Sequence, residues 1–97
     1  MFNLENIGKM INDLDQIKTA LKNLRIEVKK GPVALTFNGL QEVIDVNIDP
    51  EENLNLERFE RWLKDCFNEG IHSSRRAAKQ EIEQITGLTI PDIPGLI

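Results

Sequence analysis

The chain has little of what catalysis, metal binding or membrane insertion requires. There is one cysteine, Cys66, and one histidine, His72. A single thiol excludes an intrachain disulfide framework and fits a reducing compartment, so the cytoplasm is the expected location. A nucleophile needs a base within hydrogen-bond reach, yet Cys66 and His72 lie six positions apart, on helix sides about 120° from each other. Cysteine and histidine nowhere recur at metal-ligand spacing. Asp49-Pro50-Glu51-Glu52 lacks the alternating ligands and central glycine of a calcium loop and reads as a turn. The glycines are dispersed, which leaves no phosphate-cradling loop. The expectation is no enzyme, no catalytic residue, no metal and no cofactor. No apolar run approaches ~18 residues, and MFNLENIGKM carries acid with no basic region before an apolar stretch, so neither a membrane span nor a secretory signal is expected. Positions 31–57 also lack lysine and arginine altogether, while holding Glu42, Asp45, Asp49, Glu51, Glu52 and Glu57.

What is present suffices for one folded domain, residues 1–97. Charged residues make up 29% and the AVILMFWYC group 40%, too apolar for wholesale disorder. A chain of 97 residues has a small core unless a second chain adds to it. The formal net charge is −4, but basic residues cluster in 9–30 and 58–79, leaving two locally positive segments around an acidic centre. Local field decides what a cleft attracts.

Val33–Asp49 (VALTFNGLQEVIDVNID) is the segment on which the rest is organised. Asn38-Gly39 suits a two-residue hairpin turn with positive φ. That turn predicts Phe37 opposite Leu40, Leu35 opposite Glu42 and Val33 opposite Ile44. Val33, Leu35, Phe37, Leu40, Ile44, Val46 and Ile48 would then share one apolar face. Glu42 is a misfit there, relieved by a bulge near Gln41-Glu42 or by a frayed edge. Upstream, Leu24, Ile26 and Val28 alternate with charged residues up to Gly31-Pro32, predicting a first strand and a three-stranded antiparallel meander.

Helices flank the meander. Asn3 is the expected cap of the first. Leu4, Ile7, Ile11, Leu14 and Leu21 form one row and Met10, Ile17 and Leu24 a second, a stripe wide enough for two neighbours. The second helix runs from about Leu56 to a C-terminal glycine, Gly87, with Asn53 or Asn55 as its cap. At roughly 45 Å it outreaches a domain of this size, so part of it projects or meets another chain. Gly70 marks a kink or a close contact with another backbone. Phe59, Leu63 and Phe67 are expected against Leu35 and Phe37. The tail 88–97, with two prolines and a glycine, cannot be helical and either straps back or stays free.

Two basic rows stand out. Lys18, Lys22 and Arg25 follow at four and three on the first helix; His72, Arg75, Arg76 and Lys79 follow at three, one and three on the second. Each is either a solvated face or a phosphate-contacting row. Asp13, Asp15, Glu57, Glu60, Asp65, Glu69, Glu81 and Glu83 are interspersed among these cations.

The order of an amphipathic helix beginning MFNLENIGKM, the meander VALTFNGLQEVIDVNIDPE, the long helix LERFERWLKDCFNEGIHSSRRAAKQEIEQITG and the tail IPDIPGLI resembles the YbaB/EbfC family of bacterial nucleoid-associated proteins, over essentially the whole chain. The resemblance implies an α+β fold that dimerises like tweezers, helical arms projecting from a sheet-containing body, and binding of double-stranded DNA without a catalytic step. The leading reading is therefore a cytoplasmic homodimer in the nucleoid. It grips duplex backbone through Lys18, Lys22, Arg25, Arg75, Arg76 and Lys79 without reading bases, in nucleoid organisation or gene regulation. The alternative is a protein-interaction or scaffold dimer of the same fold whose acidic surface repels nucleic acid.

Overall fold

The computed structural model describes residues 4–50 and 54–91. Its elements are α1 (Leu4–Asn23), β1 (Ile26–Lys30), β2 (Val33–Phe37), β3 (Val43–Ile48) and α2 (Leu56–Thr86), the helix, meander and long helix that periodicity predicts. The expected Asn3 cap and residues 92–97 of the tail lie outside the described residues. Asn55 caps α2, its side-chain oxygen accepting from the Arg58 N–H at 3.0 Å. At the other end Gly87 takes a left-handed φ of 72° and donates its N–H to the Glu83 carbonyl. Beyond it, the Ile90 N–H donates to a Glu83 carboxylate oxygen at 3.1 Å.

The sheet is antiparallel in the order β1-β2-β3, but its second connection differs from the expected hairpin. Val33 faces Ile48 and Leu35 faces Val46, each four positions further along than a two-residue turn would set. The cause is Asn38, whose side chain makes the turn. Its Oδ1 accepts from the Leu40 and Glu42 N–H groups and its Nδ2 donates to the Glu42 carboxylate at 2.8 Å. Gln41, not Asn38 or Gly39, takes the positive φ, 60°. Gly39 meanwhile gives its N–H to the Leu21 carbonyl at the end of α1, 2.7 Å away. These bonds close a loop over 38–42 and remove Glu42 from the apolar face. A shift of an even number leaves the faces unchanged, so Val33, Leu35, Val46 and Ile48 still share a side. The irregularity expected near Gln41-Glu42 falls instead between the pairs Thr36↔Asp45 and Phe37↔Val43, where β3 accommodates Ile44 as an extra residue.

Helix α2 covers β1 and β2. Val28, Val33, Leu35, Phe37 and Cys66 form the buried core, with Ile26, Phe59, Trp62, Leu63 and Ile71 packed against it. Phe59 and Leu63 sit as expected. Phe67 stays at the rim, 40% exposed, and meets Phe37 edge to face at 6.5 Å between centroids. The buried positions of α2 are Cys66, Gly70, Ser74 and Ala78, a small residue every four positions that lets the helix axis ride close to what lies beneath. At Gly70 that neighbour is the Phe37 ring, which a Cβ would strike. Gly70 thus marks a close contact with a side chain, and α2 continues through it without a break.

Among the described residues α1 packs on α2 and on no strand. At about 30 Å long, α1 exceeds both transverse dimensions of a molecule measuring 64 × 25 × 17 Å. Its neighbour is α2, the helix that also covers β1 and β2. Among the described residues Ile11 and Leu14 of the α1 stripe stay exposed, by 56% and 60%.

Candidate nucleic-acid interface

The α1 row comes from a helix whose apolar side is held by Leu21, buried against its surroundings. Lys18 and Lys22, four residues apart and both exposed, occupy one flank of that helix. Arg25 lies just past the helix end and turns back on it: its Nη1 donates to the carbonyls of Lys22 at 3.0 Å and Leu24 at 2.8 Å. A guanidinium there satisfies carbonyls that the helix leaves open and sits at the negative end of its dipole. Among the described residues both bonds come from this one nitrogen.

The α2 row is set by Ser74 and Ala78, which point inward. Their neighbours in sequence consequently point outward. Arg75 is half-buried and lines a shallow depression with Asn68, Ile71 and His72. Arg76 is exposed and Lys79 half-buried. Two lysines of β1 face carboxylates. Lys30 pairs with Glu69 at 2.6 Å and Lys29 with Asp49 at 3.9 Å; the hydrogen bond that Lys30 donates to Glu69, then the charge of that carboxylate, raises the Lys30 pKa above the ordinary lysine value. Both pairs are solvent-exposed and contribute little stability.

The loop 38–42 joins the two rows. The Gly39 N–H is bonded to Leu21, and the Asn38 carbonyl accepts from the buried Ser74 hydroxyl at 2.6 Å. The Gln41 amide bridges the Gly39 carbonyl at 2.8 Å and the Ser74 hydroxyl at 3.4 Å. Lys22 and Arg75 each follow a tethered residue, so the end of the α1 row is moored to the start of the α2 row through one short loop. Sequence reasoning missed Asn38, Gln41 and Ser74 as positioning residues. A serine inside an otherwise apolar row at helical spacing was the available signal, because a buried hydroxyl requires a partner.

Cys66 is fully buried, its thiol donating to the Val28 carbonyl at 3.3 Å, and burial pushes its pKa up, away from a reactive thiolate. His72 is exposed, so the fold keeps these two apart. Neither helix, over the described residues, is long and apolar enough to cross a membrane.

Comparison with known proteins finds relatives of this chain. A nucleoid-associated protein of Syntrophobacter fumaroxidans is 35% identical over 86 residues, covering 84% of this chain and 78% of that one. Another, from Alkaliphilus metalliredigens, is 27% identical over 97 residues, covering 96% and 83%. The crystal structure of an uncharacterized Helicobacter pylori protein shares the fold with a TM-score of 0.67 at 22% identity, over 82% of this chain and 92% of that one. The family model that matches, over residues 1–89, takes in both helices, the whole sheet and both basic rows, and the chain belongs to the YbaB/EbfC DNA-binding family.

Proposed function

We propose that this chain acts as a homodimer that binds double-stranded DNA in the bacterial nucleoid, through phosphate contacts from Lys18, Lys22 and Arg25 on the α1 side and Arg75, Arg76 and Lys79 on α2. The observation that carries this reading is the mooring of the two rows by the loop 38–42, which ties Leu21, beside Lys22, and Ser74, beside Arg75, to one short segment of chain. Family membership supports DNA as the partner, and relatives named nucleoid-associated proteins support the location. Phosphate contacts from these cations would position the protein on the duplex without specifying sequence. Apolar side chains left exposed on α1 and β3 support a second copy. The role that follows is organisation of the nucleoid, with effects on genes through DNA architecture.

The acids among the cations and the net charge of −4 make affinity modest and strongly salt-dependent. A salt-titrated gel shift with random duplex DNA tests the reading. The wild-type protein should shift DNA at ~20 mM salt, where the long Debye length favours attraction, and reversing the charge at Arg75, Arg76 and Lys79 together should abolish the shift on every sequence alike. A folded wild-type protein that shifts no duplex at that salt would leave the alternative, a protein-interaction dimer that uses the exposed Ile11 and Leu14 side.

A further inference from the structure

The outward side of α2 holds more cations than Arg75, Arg76 and Lys79. The buried positions of the helix are Cys66, Gly70, Ser74 and Ala78. At about 100° per residue, the side opposite them also carries Arg58, Arg61 and Lys64, on the stretch of helix whose inner residues Phe59, Trp62 and Leu63 pack on the core. All three are exposed, and the Arg58 guanidinium stands 5.9 Å from the centre of the Trp62 ring. Among the described residues Arg61, Lys64, Arg75 and Arg76 enter no ion pair. Between the two groups of cations the same side presents Asp65, Asn68 and His72, all exposed. Glu69, at its margin, is turned to Lys30. A chain of net charge −4 thus sets two groups of fixed cations around one carboxylate, Asp65, on one side of one helix, and the local field decides what that side attracts.

We infer that this side of α2 is a two-point seat for the backbone of a DNA duplex. Arg58, Arg61 and Lys64 bind phosphates on one wall of the major groove, Arg75, Arg76 and Lys79 bind phosphates on the other, and Asn68 and His72 lie over the groove between them. This rests on the DNA reading above and adds to it three cations from the part of α2 that lies over the sheet. The spacing fits the duplex. From Arg61 to Arg76 the helix rises about 23 Å, which exceeds the ≈ 12 Å width of the major groove and falls short of the roughly 34–36 Å of a full turn. A straight helix laid obliquely across that groove therefore reaches both backbones, and the length of the Arg and Lys side chains makes up the remaining distance. Two groups of cations with a gap between them suit two phosphate walls; an even row would hold cations over the groove, where no phosphate lies. Asp65, at the inner edge of the first group, opposes the phosphates and weakens the seat.

Equilibrium binding to a random-sequence duplex, titrated with salt, tests the seat. Arg61→Ala and Lys64→Ala should each flatten the slope of log K against log salt by about 0.9 per protomer, as much as a substitution in the second group. Lys29→Ala, an equal loss of charge on β1, should leave the slope unchanged. Asp65→Asn should tighten binding roughly threefold, the scale of one exposed charge interaction. Glu60→Gln makes the same change in net charge at another exposed position of α2, about 100° or more around the helix from the centre of the seat, and should not tighten binding. The gain from Asp65→Asn is an effect that a misfolded variant does not imitate. A wild-type protein that binds no duplex at ~20 mM salt refutes the DNA reading and the seat with it. Wild-type binding whose slope survives both Arg61→Ala and Lys64→Ala, or Asp65→Asn and Glu60→Gln variants that behave alike, refutes the seat and leaves the DNA reading standing on the other cations.

Discussion

Replacing Gly70 by alanine should destabilise this protein, against the usual direction for glycine inside a helix. Alanine is favoured over glycine in a helix interior by about 1 kcal/mol. Here the added methyl would enter the Phe37 ring, and Phe37 is 1% exposed, enclosed by the core it anchors. Overpacking of that kind costs roughly 1–3 kcal/mol. With the ring unable to withdraw, the upper part of that range applies, and the net effect is a loss of about 2 kcal/mol. The sign should reverse when the ring is removed. Phe37→Ala alone should cost ~3–5 kcal/mol by opening a cavity; in that background Gly70→Ala places its methyl in vacated space and should gain about 1 kcal/mol. The resulting coupling, near 3 kcal/mol, is at the top of what contacting residues show. Urea unfolding followed by fluorescence of Trp62, the only tryptophan, measures all four proteins, at one fixed protomer concentration because a dimer's stability depends on it. Phe37→Leu serves as the second background should the alanine variant be too unstable. Equal effects of Gly70→Ala with and without the ring would falsify the close-packing argument, as would stabilisation of the otherwise wild-type chain.

Arg76→Ala removes two symmetric phosphate contacts from a dimer and should flatten the slope of log K against log salt by about twice 0.9; an unchanged slope in a salt-titrated binding assay would remove Arg76 from the interface. Ser74→Ala leaves the buried Asn38 carbonyl short of its donor and should cost ~1–3 kcal/mol. By slackening the loop between the two rows it should also weaken DNA binding, although residue 74 touches no phosphate; unaltered affinity in a folded variant would show that the mooring is dispensable. Folding holds the Cys66 thiol protonated because burial raises its pKa. Above about pH 8.5, where the unfolded chain's thiol loses its proton, the folded state binds more protons and stability falls as pH rises; below that it is flat. Between pH 7 and 10 a Cys66→Ala variant should be less stable throughout but lose that decline, and denaturation midpoints running parallel for the two proteins would contradict it.

Hydrophobic period and turn residues alone determined the number, type and order of the elements. Ile26 and Val28 alternate with charged residues as a strand must, although Leu24, which the same alternation includes, lies before β1, and the apolar row from Leu56 to Ile85 turns as a helix must. Asn55 and Gly87 mark the ends of α2 because a side-chain acceptor and a left-handed backbone are local requirements. The faces of the sheet were legible for the same reason, since alternation survives any even shift in pairing. The pairing itself was decided by tertiary contacts. Asn38-Gly39 is locally suited to a two-residue turn, but the Asn38 side chain, bonded to Leu40 and Glu42, and the pull of the Leu21 carbonyl on the Gly39 N–H favour a longer loop, and the Leu21 partner is not visible to a scan of neighbouring residues. The role of Gly70 depended likewise on Phe37, a residue from another element brought under the helix. Candidate cations were readable as spacings in two separate segments, whereas the tether between those segments was not. It arises where α1, the loop and Ser74 meet, through hydrogen bonds between residues more than thirty positions apart in the chain, and only the folded backbone brings such groups within bonding distance.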